Sequence, residues 1–344
     1  MQVLVGMSGG VDSSVAAALL VEQGHEVVGV TLKLWGGESD TGCCSVSDVD
    51  DARRVAQQIG IDHLVFNFTE DFNAHVVQPY VDAHTNALTP NPCIECNRHL
   101  KFDRLLERAE LLGFDAVATG HHARIETDAT GARRVTRGHD MAKDQSYVVH
   151  MLDQRQLART LFPVGDRTKH DVRADAARLG LRTASKPDSQ DVCFITSTGG
   201  RSSFLGNRIP LRSARVVDRD GTALGKVDAM ELVTIGQRKG LGLVGGGDPL
   251  YAIDVNVAQG VVTVGSAADL QRPGLGVTNL TWSDQVVTGA VRVQWSAHGA
   301  TRAATIDAVG NVAWAEPQRR IAPGQSVVFY DEADRHVLGG GIVR

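Results

Sequence analysis

The sequence predicts an α/β fold with a doubly wound parallel sheet in its N-terminal half, followed by two small β domains. In the first 120 residues, short apolar runs alternate with helical stretches, which is typical of a parallel sheet with crossover helices. A glycine-rich loop, SGGVDSS, directly follows the first apolar run. From about Asn207 onward the helical pattern fades, and apolar and polar residues alternate. We therefore predict domains at 1–206, 207–270 and 271–344.

The elements of the N-terminal half follow one another with short connections. Each predicted strand is a short apolar run, and each predicted helix is a longer amphipathic or Ala/Leu-rich stretch. In order, they are a strand at Val3–Val5, a helix ending at Gly24, a strand at Glu26–Trp35, a helix at Asp48–Gly60, and strands at His63–Phe68 and Phe114–Thr119. Ligands of such sheets bind at the carboxyl ends of the strands, where the glycine loop and Gly120 fall.

The C-terminal half has the two-residue period of β-strands. Tyr251 to Gly265 reads as a hairpin, and GAVRVQW, TRAATIDAVGNVAWA and QSVVFYDEADRHVLGGGIV continue the alternation. The stretch GQRKGLGLVGGG, Gly236 to Gly247, contains two cations among glycines. It is either a mobile loop with a role in RNA binding or a long surface loop, and the pattern does not separate the two.

Charge is unevenly distributed along the chain. The formal net charge of −5 does not by itself favour a nucleic-acid partner. Between Met151 and Arg215, however, twelve Lys or Arg stand against six Asp or Glu, a local excess of six. Such an excess indicates either a solvated surface or a phosphate-contacting face.

The first residues, the lengths of the apolar runs and the number of cysteines indicate where in the cell the protein is expected. The first residues, MQVLVGMSGG, lack a signal-peptide pattern, and no apolar run approaches the roughly 18 residues that a membrane-spanning helix requires. We therefore expect a cytoplasmic protein with no membrane partner. Five cysteines, an odd number, then favour reduced thiols in catalysis or metal binding over a disulfide scaffold.

The SGGVDSS loop has the chemistry of an anion site. Gly9 and Gly10 allow main-chain N–H groups to approach a phosphate, and the following helix points its N-terminus at the same place. Ser8 and Ser13 add hydroxyl donors, and Asp12 could hold Mg²⁺ or position a ribose. The loop lacks the Lys-Ser/Thr pair of a Walker A motif and the spacing G-x-G-x-x-G.

Cys93 and Cys96 form a C-x-x-C pair whose chemistry the spacing alone leaves open. A zinc site would need a second pair, and the contiguous Cys43–Cys44 doublet has awkward geometry for one ion. Pro90 and Pro92 favour an extended loop ahead of Cys93, which disfavours a thioredoxin-like dithiol. The stretch NRHLKFDRLLERAELLGF then predicts a helix, so Cys96 is expected near a helix N-terminus, where the dipole lowers a thiol pKa.

Cys193 lies in KPDSQDVCFI, between a polar loop and an apolar patch. A lone cysteine before Phe-Ile is more often a buried small side chain than a reactive group. Its function cannot be inferred from this context alone.

Eight motifs occur in order between residues 6 and 330: GMSGGVDSS, TPNPCIECN, ATGH, KDQSY, LFPVG, SKPDSQDVCFI, GQRKGLG and PGQSVVFY. The first resembles the pyrophosphate (PP) loop of the ATP pyrophosphatases, which cleave ATP between the α and β phosphates. The whole set resembles the bacterial tRNA-specific 2-thiouridylases. The resemblance implies a PP-loop domain, with a helical tRNA-binding region at about 150–200, followed by two small β-barrels.

The resemblance also implies a reaction. The family replaces O2 of the wobble uridine of tRNA, U34, by sulfur after ATP has adenylated that oxygen. Sulfur arrives from a donor protein as a persulfide on Cys193, and Cys96 either forms a disulfide with Cys193 or releases the terminal sulfide. The wobble base would be flipped out of its stack into the pocket.

The site residues are carried over from the family motif by motif. ATP, with Mg²⁺, would be bound by Gly6, Met7, Ser8, Gly9, Gly10, Val11, Asp12, Ser13, Leu32 and Gly120. The tRNA would be contacted by Asn91, Pro92, Cys93, His121, Lys143, Asp144, Gln145 and Gln325. On the residues alone, Lys143-Asp144-Gln145 predicts an exposed polar turn.

Two departures from the family leave roles open. Some members have an aspartate, proposed as a general acid/base, where this chain has Cys93. The Arg-Tyr pair that often contacts tRNA is not found in QWSAHGATR, Gln294 to Arg302, so those contacts are not carried over.

Three alternatives remain at the level of sequence. The chain could be another ATP pyrophosphatase, such as an amide- or guanidine-forming synthetase, which needs neither Cys96 nor Cys193. It could be a non-catalytic RNA-binding protein with a vestigial loop. As a variant of the thiolation reading, Cys93, Cys96 and Cys193 could ligate a [4Fe–4S] cluster with one open iron that binds sulfide.

Overall fold

The computed structural model describes residues 1–35, 46–188, 192–195, 199–243 and 247–344. The Cys43–Cys44 doublet and part of the 236–247 stretch lie outside the described residues. The N-terminal part is an α/β unit, and the rest is β structure, as the sequence predicts.

The N-terminal domain is built on a five-stranded parallel sheet. The described strands of this domain are β1 (Gln2–Gly6), β2 (Glu26–Lys33), β3 (Asp62–Asn67), β4 (Ala116–Thr119), β5 (Ala123–Thr127), β6 (Arg133–Arg137) and β7 (Thr160–Leu161). The sheet has the order β3-β2-β1-β4-β7, and β5 and β6 form a separate antiparallel hairpin. Because Gly6 is paired with Thr119, the loop after β1 and Gly120 leave the sheet at the same edge.

Helices cover both faces of this sheet. The described α-helices are α1 (Val11–Glu22), α2 (Val46–Ile59), α3 (Thr69–Phe72), α4 (Gln78–Thr85), α5 (Pro92–Glu95), α6 (Leu105–Leu111), α7 (Gln154–Ala158), α8 (Lys169–Arg178) and α9 (Gly200–Gly206). A π-helical stretch, Asn73–Val77, joins α3 to α4, and a second, Cys96–Arg104, joins α5 to α6. Residues of α1, α2 and α8 form the core on one face, and residues of α3, α4 and α6 form the core on the other.

The remaining strands form two further sheets. The middle domain contains β8 (Ala214–Val217), β9 (Ala223–Val227), β10 (Tyr251–Asn256) and β11 (Val261–Gly265), arranged in the order β10-β11-β8-β9. The C-terminal domain contains β12 (Gln271–Trp282), β13 (Gly289–Gln294), β14 (Arg302–Ile306), β15 (Asn311–Arg319), β16 (Ser326–Tyr330) and β17 (Val337–Val343). These six strands close into a barrel in the order β12-β15-β14-β13-β16-β17.

Both β domains contact the segment that leads to the C-x-x-C pair. The carbonyl of Glu231, in the middle domain, lies 3.1 Å from Nδ1 of His84. In the barrel, the carbonyl of Pro323 accepts a hydrogen bond from the N–H of Thr89 at 2.8 Å. These contacts fix residues 84–89 from both sides, so the loop that follows them has a defined position. No helix in the part of the chain that the structure describes is long and apolar enough to cross a membrane.

Candidate functional site

The glycine loop after β1 is closely packed against two neighbouring segments. Gly9 has φ +71°, and a Cβ there would lie 2.3 Å from the carbonyl oxygen of Asp48. A Cβ at Gly120 would lie 2.5 Å from the backbone nitrogen of Ser13. Because both obstacles are backbone atoms, neither position can hold a larger residue without a shift of the chain. The loop therefore requires glycine at Gly9 and Gly120 for steric reasons.

Internal hydrogen bonds hold the loop in shape. The N–H of Ser8 donates to Oγ of Ser13 at 3.2 Å, and the two hydroxyl oxygens lie 3.3 Å apart. The N-cap residue of α1 is Gly10, which has no side chain to accept a hydrogen bond from the first turn. The N-terminus of a twelve-residue helix, with its partial positive charge, thus faces the loop. Such an arrangement is suited to a phosphate group.

Asp12 lies in the first turn of α1 and is held by two side chains. Both of its carboxylate oxygens accept hydrogen bonds from Nζ of Lys169 at 2.8 Å, and Oδ1 lies 3.1 Å from Nε2 of His122. Burial raises the pKa of Asp12, but the hydrogen bonds from His122 and Lys169 outweigh it, so the pKa is below its ordinary value. Asp12 is therefore ionised and fixed beside the loop.

Lys169 links the loop to a second acidic centre. Its ammonium also lies 2.9 Å from Oδ1 of Asp188, which pairs in addition with Arg173 and, through Oδ2, with Lys143 at 2.8 Å. Lys169 is the first residue of α8, so this helix N-terminus is joined to the start of α1. One continuous ion network thus connects the glycine loop, the KDQ segment and the segment five residues before Cys193.

The C-x-x-C pair lies on a helix that begins earlier than the sequence suggested. Asn91 is the N-cap of α5, and its Oδ1 accepts from the N–H groups of Cys93 (3.1 Å) and Ile94 (3.4 Å). Pro92 occupies the first helical position, where its missing N–H costs nothing. The helix therefore starts at Pro92 and not after Cys96, and Cys96 is the first residue of the π-helical stretch. Single π-helical segments are frequently found at functional sites.

Cys193 lies beside a group of aromatic rings. The ring of the next residue, Phe194, is 5.5 Å from that of Tyr80 and 5.6 Å from that of Phe72. Phe194 is 3% exposed, which anchors this short segment to α3 and α4. The sequence predicted an apolar patch after Cys193, and Phe194 forms it.

Two of the described cysteines pack against the core that contains this aromatic group. Cys96 and Cys193 are half-buried and both pack against the apolar core that includes Tyr80 and Phe194. Burial raises the pKa of Tyr80 above its ordinary value, although the charge of Arg201 acts against it. Residues far apart in the sequence are thus brought to one side of the sheet. Thiol chemistry that uses more than one cysteine is compatible with this arrangement.

Metal binding receives no support from the side-chain clusters. Among residues 1–35, 46–188, 192–195, 199–243 and 247–344, no group of three or more His, Cys, Asp or Glu is placed to hold a metal ion. Asp12, with both oxygens on Lys169, is likewise not presented to a magnesium ion.

Most residues predicted to contact tRNA are engaged within the protein. His121 is 8% exposed, and its ring packs against those of Phe102 and Phe162. Burial lowers the pKa of His121 well below its ordinary value, so the ring is neutral at pH 7. Lys143 is paired with Asp188. His121 thus packs against aromatic rings, whereas the pair of Lys143 and Asp188 lies at the surface.

Asp144 is a buried residue and not part of an exposed turn. It is 6% exposed, and its Oδ2 pairs at 2.7 Å with Arg137, whose guanidinium lies 3.7 Å from the ring centroid of Tyr330. Its Oδ1 accepts from the N–H of Gly138 at 2.8 Å. The expectation of an exposed polar turn is wrong for Asp144, because a buried arginine from β6 compensates its charge.

Gln145 and Gln325 have different surroundings. The side-chain oxygen of Gln145 accepts from the N–H of His122 at 2.9 Å, which orients the histidine beside Asp12. Gln325 is half-buried in the PGQ turn of the barrel, next to Gly324, where a Cβ would lie 2.9 Å from the nitrogen of Thr89. Gln325 is therefore close to the loop that contains Asn91.

Leu32 lies in β2 and is 9% exposed, within the core that also contains Phe194. Leu32 thus lies between the edge of the sheet that carries the glycine loop and the aromatic group beside Cys193.

A cavity of about 530 Å³ lies on the helix that carries Cys96, between the two π-helical stretches and α7. The rings of His75 and His99 stack across it with centroids 4.8 Å apart. Hydrogen bonds to Asp103 and Glu95 raise the pKa of His99 to about 9. His99 is therefore a cation at neutral pH.

Lys169, Asp188 and His122 are the functional candidates that sequence reasoning did not select. LFPVGDRTK places Lys169 shortly after one of the quoted motifs, and ATGHH places His122 beside His121. Neither motif indicates that its residue contacts Asp12, because Asp12 is more than a hundred residues away in the chain.

The chain is similar to known proteins along its whole length. Residues 1–197 match the tRNA methyl transferase HUP domain, residues 202–266 the tRNA methyl transferase PRC-barrel domain, and residues 272–343 the aminomethyltransferase beta-barrel domain.

Several relatives are similar over nearly the full chain. The tRNA-specific 2-thiouridylase MnmA of Chloroflexus aggregans is 45% identical over 352 residues, covering 98% of this chain and 97% of that protein. The protein of the same name from Mycobacteroides abscessus is 44% identical over 359 residues, covering 100% and 99%. A solved 4-thiouridine synthetase–RNA complex with bound ATP is more distant, with 20% identity, a TM-score of 0.39, and coverage of 56% of this chain and 44% of that chain.

Proposed function

The chain belongs to the tRNA-specific 2-thiouridylase family, and we propose that it converts the wobble uridine U34 of tRNA to 2-thiouridine in an ATP-dependent reaction. It is a tRNA sulfurtransferase. The observation that carries the proposal is the gathering of Cys96 and Cys193, distant in sequence, against one core on the sheet that also bears the glycine loop.

The first half-reaction uses the glycine loop. ATP binds to the segment from Gly6 to Ser13, with Leu32 and Gly120 beside it. O2 of the uridine attacks the α-phosphorus of ATP, a P–O bond forms, and the bond to the β-phosphate breaks with release of pyrophosphate. The helix N-terminus at Gly10 and the main-chain N–H groups stabilise the phosphate charge. Mg²⁺ bound with ATP would neutralise part of the phosphate charge.

The second half-reaction uses the thiols. Cys193 carries a persulfide received from a donor protein, and its terminal sulfur bonds to C2 of the adenylated base while the C2–O bond breaks and AMP leaves. The Cys96 thiolate then attacks Sγ of Cys193, and the electrons of the broken S–S bond go to the sulfur that stays on C2. Alternatively, Cys96 first releases the terminal sulfide, which attacks C2. Both routes end with 2-thiouridine and a Cys96–Cys193 disulfide, which an external thiol reductant must reduce before the next turnover.

The base is proposed to lie near Asn91, Pro92 and Cys93, between the cysteine helix and the PGQ turn. The hydrogen bond between Thr89 and Pro323 supports this position, because it brings Gln325 next to the loop. His121, Lys143, Asp144 and Gln145 are further proposed tRNA contacts. For Lys143, contact with RNA would require an exchange of partners with Asp188. The proposal places the reaction in the cytoplasm.

Nucleoside analysis tests the proposal. Protein, ATP-Mg²⁺, a persulfide donor and unmodified tRNA are mixed, and the digested tRNA is analysed for 2-thiouridine. We expect 2-thiouridine with the native chain and with the surface control Ser203→Ala, and none with Cys193→Ala or Cys96→Ser. An amide- or guanidine-forming synthetase would retain its activity in both cysteine variants, and a non-catalytic RNA-binding protein would release no pyrophosphate. Iron analysis after anaerobic purification tests the cluster, since an iron-free active enzyme excludes it.

A further inference from the structure

Most Lys and Arg side chains of the N-terminal domain form ion pairs with carboxylates of the protein itself. Nine of the twelve Lys and Arg side chains between residues 151 and 215 lie within 3.0 Å of a carboxylate oxygen. Their carboxylate partners come largely from elsewhere in the chain, including Glu22, Asp51 and Glu110. The local excess of positive charge in the sequence is therefore mostly absent from the surface, and a partner with many phosphates needs other cations.

The loop from Thr234 to Leu243, which we call the QRK loop, presents two such cations. Arg238 and Lys239 are exposed, and within the described part of the chain neither is within ion-pair distance of a carboxylate. Arg319 of the barrel extends this charge, since its guanidinium donates to the carbonyl oxygen of Gly236 at 2.5 Å and lies 4.8 Å from the ring centroid of Tyr251.

The QRK loop has a defined internal structure. Oε1 of Gln237 accepts from the N–H of Thr234 at 3.0 Å, and its Nε2 donates to the carbonyl of Lys239 at 2.8 Å. The N–H of Gly236 donates to the carbonyl of Ala252 at 2.7 Å, and the N–H of Ala252 donates back to Gln237. A glutamine side chain thus organises the loop from inside while the two cations point outward.

The far end of the loop is equally constrained. Gly242 has φ +64°, and a Cβ there would lie 1.9 Å from the carbonyl oxygen of Lys226. Leu241 is 2% exposed in the core of the middle domain. A contact surface that is preorganised in this way loses less side-chain and backbone freedom on binding.

The loop lies next to the segments that position the cysteines. It begins two residues after Leu232, whose carbonyl accepts from Arg201 at 2.9 Å, and three after Glu231, which contacts His84. The ring of His84 is 4.6 Å from that of Tyr80, the residue against which Phe194 packs. The QRK loop therefore continues directly from residues that contact α4 and, through Tyr80, the aromatic group beside Cys193.

We propose that the QRK loop, with Arg238, Lys239 and Arg319, is a phosphate-contacting surface for the backbone of the substrate tRNA. This inference rests on the proposed function and adds a specific interface to it. The contacts are to phosphates and carry no base recognition, so they position the RNA and add to affinity in a salt-dependent way.

The test is tRNA binding without catalysis, measured by fluorescence anisotropy over a series of KCl concentrations. The double variant Arg238→Gln/Lys239→Gln is compared with Arg53→Gln/Arg54→Gln, two adjacent exposed cations on α2. Each lost phosphate contact lowers the slope of log affinity against log salt by about one. We expect the loop variant to lose a slope of about two and to bind tRNA at least about tenfold more weakly at physiological salt, and we expect the α2 control to bind normally.

Two further variants refine the result. Arg238→Lys/Lys239→Arg keeps both charges and should bind like the native chain. Gln237→Ala keeps both cations but releases the loop, so we expect weaker binding with an unchanged salt slope. Thermal unfolding of the charge variants should be unchanged, because both side chains are exposed.

Each outcome is decisive. If the native chain binds no tRNA, the proposed function itself is wrong. If the native chain binds tRNA and the loop variant binds equally well, or the α2 control is equally impaired, the QRK loop is not a phosphate-contacting surface. Unchanged tRNA affinity with slower sulfur transfer from the donor protein would also overturn it and would assign the loop to a protein partner.

Discussion

Replacement of Lys169 by methionine should weaken ATP binding. Methionine keeps most of the apolar stem but removes the ammonium that donates to both oxygens of Asp12 at 2.8 Å. Asp188 keeps Arg173 and Lys143 as partners, so the loss falls mainly on Asp12, which retains only the contact with His122. An incompletely neutralised carboxylate then lies beside the glycine loop, where we propose that the phosphates of ATP bind.

The size of the effect follows from the burial of the pair. The side chains of Lys169 and Asp12 are 13% and 30% exposed, which lies between a surface ion pair and a fully buried one. Removal of one partner from a charged hydrogen bond of this kind costs about 1–3 kcal/mol. Since 1.4 kcal/mol corresponds to a tenfold change, we expect the Kd for ATP to rise by about tenfold or more. Isothermal titration calorimetry without tRNA measures it.

The pH dependence of stability provides a second reading of the same variant. The pKa of Asp12 in the folded chain lies below 3.8, so its contribution to stability is complete above that value and is lost as the pH falls through the folded pKa. The difference in unfolding free energy between the native chain and Lys169→Met should therefore be largest near neutrality and shrink below about pH 4.

Arg178→Gln is the matched control, because Arg178 lies on α8, the helix that also contains Lys169. This substitution breaks an exposed ion pair with Glu22 of α1. It should leave ATP affinity unchanged. The reasoning is refuted if Lys169→Met binds ATP as tightly as the native chain and shows the same stability at every pH.

Three further substitutions test other parts of the account. Gly120→Ala should lower the unfolding free energy by about 1–3 kcal/mol and abolish ATP-induced thermal stabilisation, because its Cβ would lie 2.5 Å from a backbone atom of the glycine loop. Gly247→Ala should do neither, because a Cβ at Gly247 would meet no atom within 4 Å. Equal melting temperatures for the two variants would contradict the steric argument. His99→Gln should destabilise the chain below pH 6.5 and progressively less toward pH 9, because the raised pKa of about 9 makes the stabilisation depend on the protonated ring. A difference in unfolding free energy between the variant and the native chain that persists above pH 9 would assign the loss to packing. Asp144→Asn should cost about 1–3 kcal/mol in urea unfolding by leaving Arg137 under-compensated, whereas normal stability with weaker tRNA binding would show that Asp144 acts on RNA and not on the fold.

Periodicity and turn chemistry were sufficient for most of the N-terminal fold. The predicted strands overlap β1 to β4, and the glycine loop lies at the carboxyl end of β1 as expected, because local apolar patterns determine these elements. The sequence predicts a helix from Asn97, whereas α5 begins five residues earlier, at Pro92. There, Asn91 and Pro92 act as N-cap and first helical residue, and these short-range signals compete with the extended conformation that two prolines suggest.

The charged residues were harder to interpret, because their partners are distant in the sequence. Asp144 was expected in an exposed turn but is buried against Arg137, and the cationic stretch from 151 to 215 is largely neutralised by carboxylates of other elements. The sequence does not indicate the contact between Lys169 and Asp12, which are 2.8 Å apart in the fold but distant in the chain. A linear sequence gives charge and spacing, whereas ion pairing depends on tertiary contacts.

The central claim is that Cys96 and Cys193 act together although Cys93 is nearer to Cys96 in sequence. Single-turnover sulfur transfer to tRNA in the absence of external reductant, followed by alkylation and peptide mass spectrometry, tests it most directly. The account predicts a disulfide between the peptides that contain Cys96 and Cys193, formed in proportion to 2-thiouridine. A disulfide between Cys93 and Cys96, or full 2-thiouridine formation with all three thiols alkylated, would contradict it.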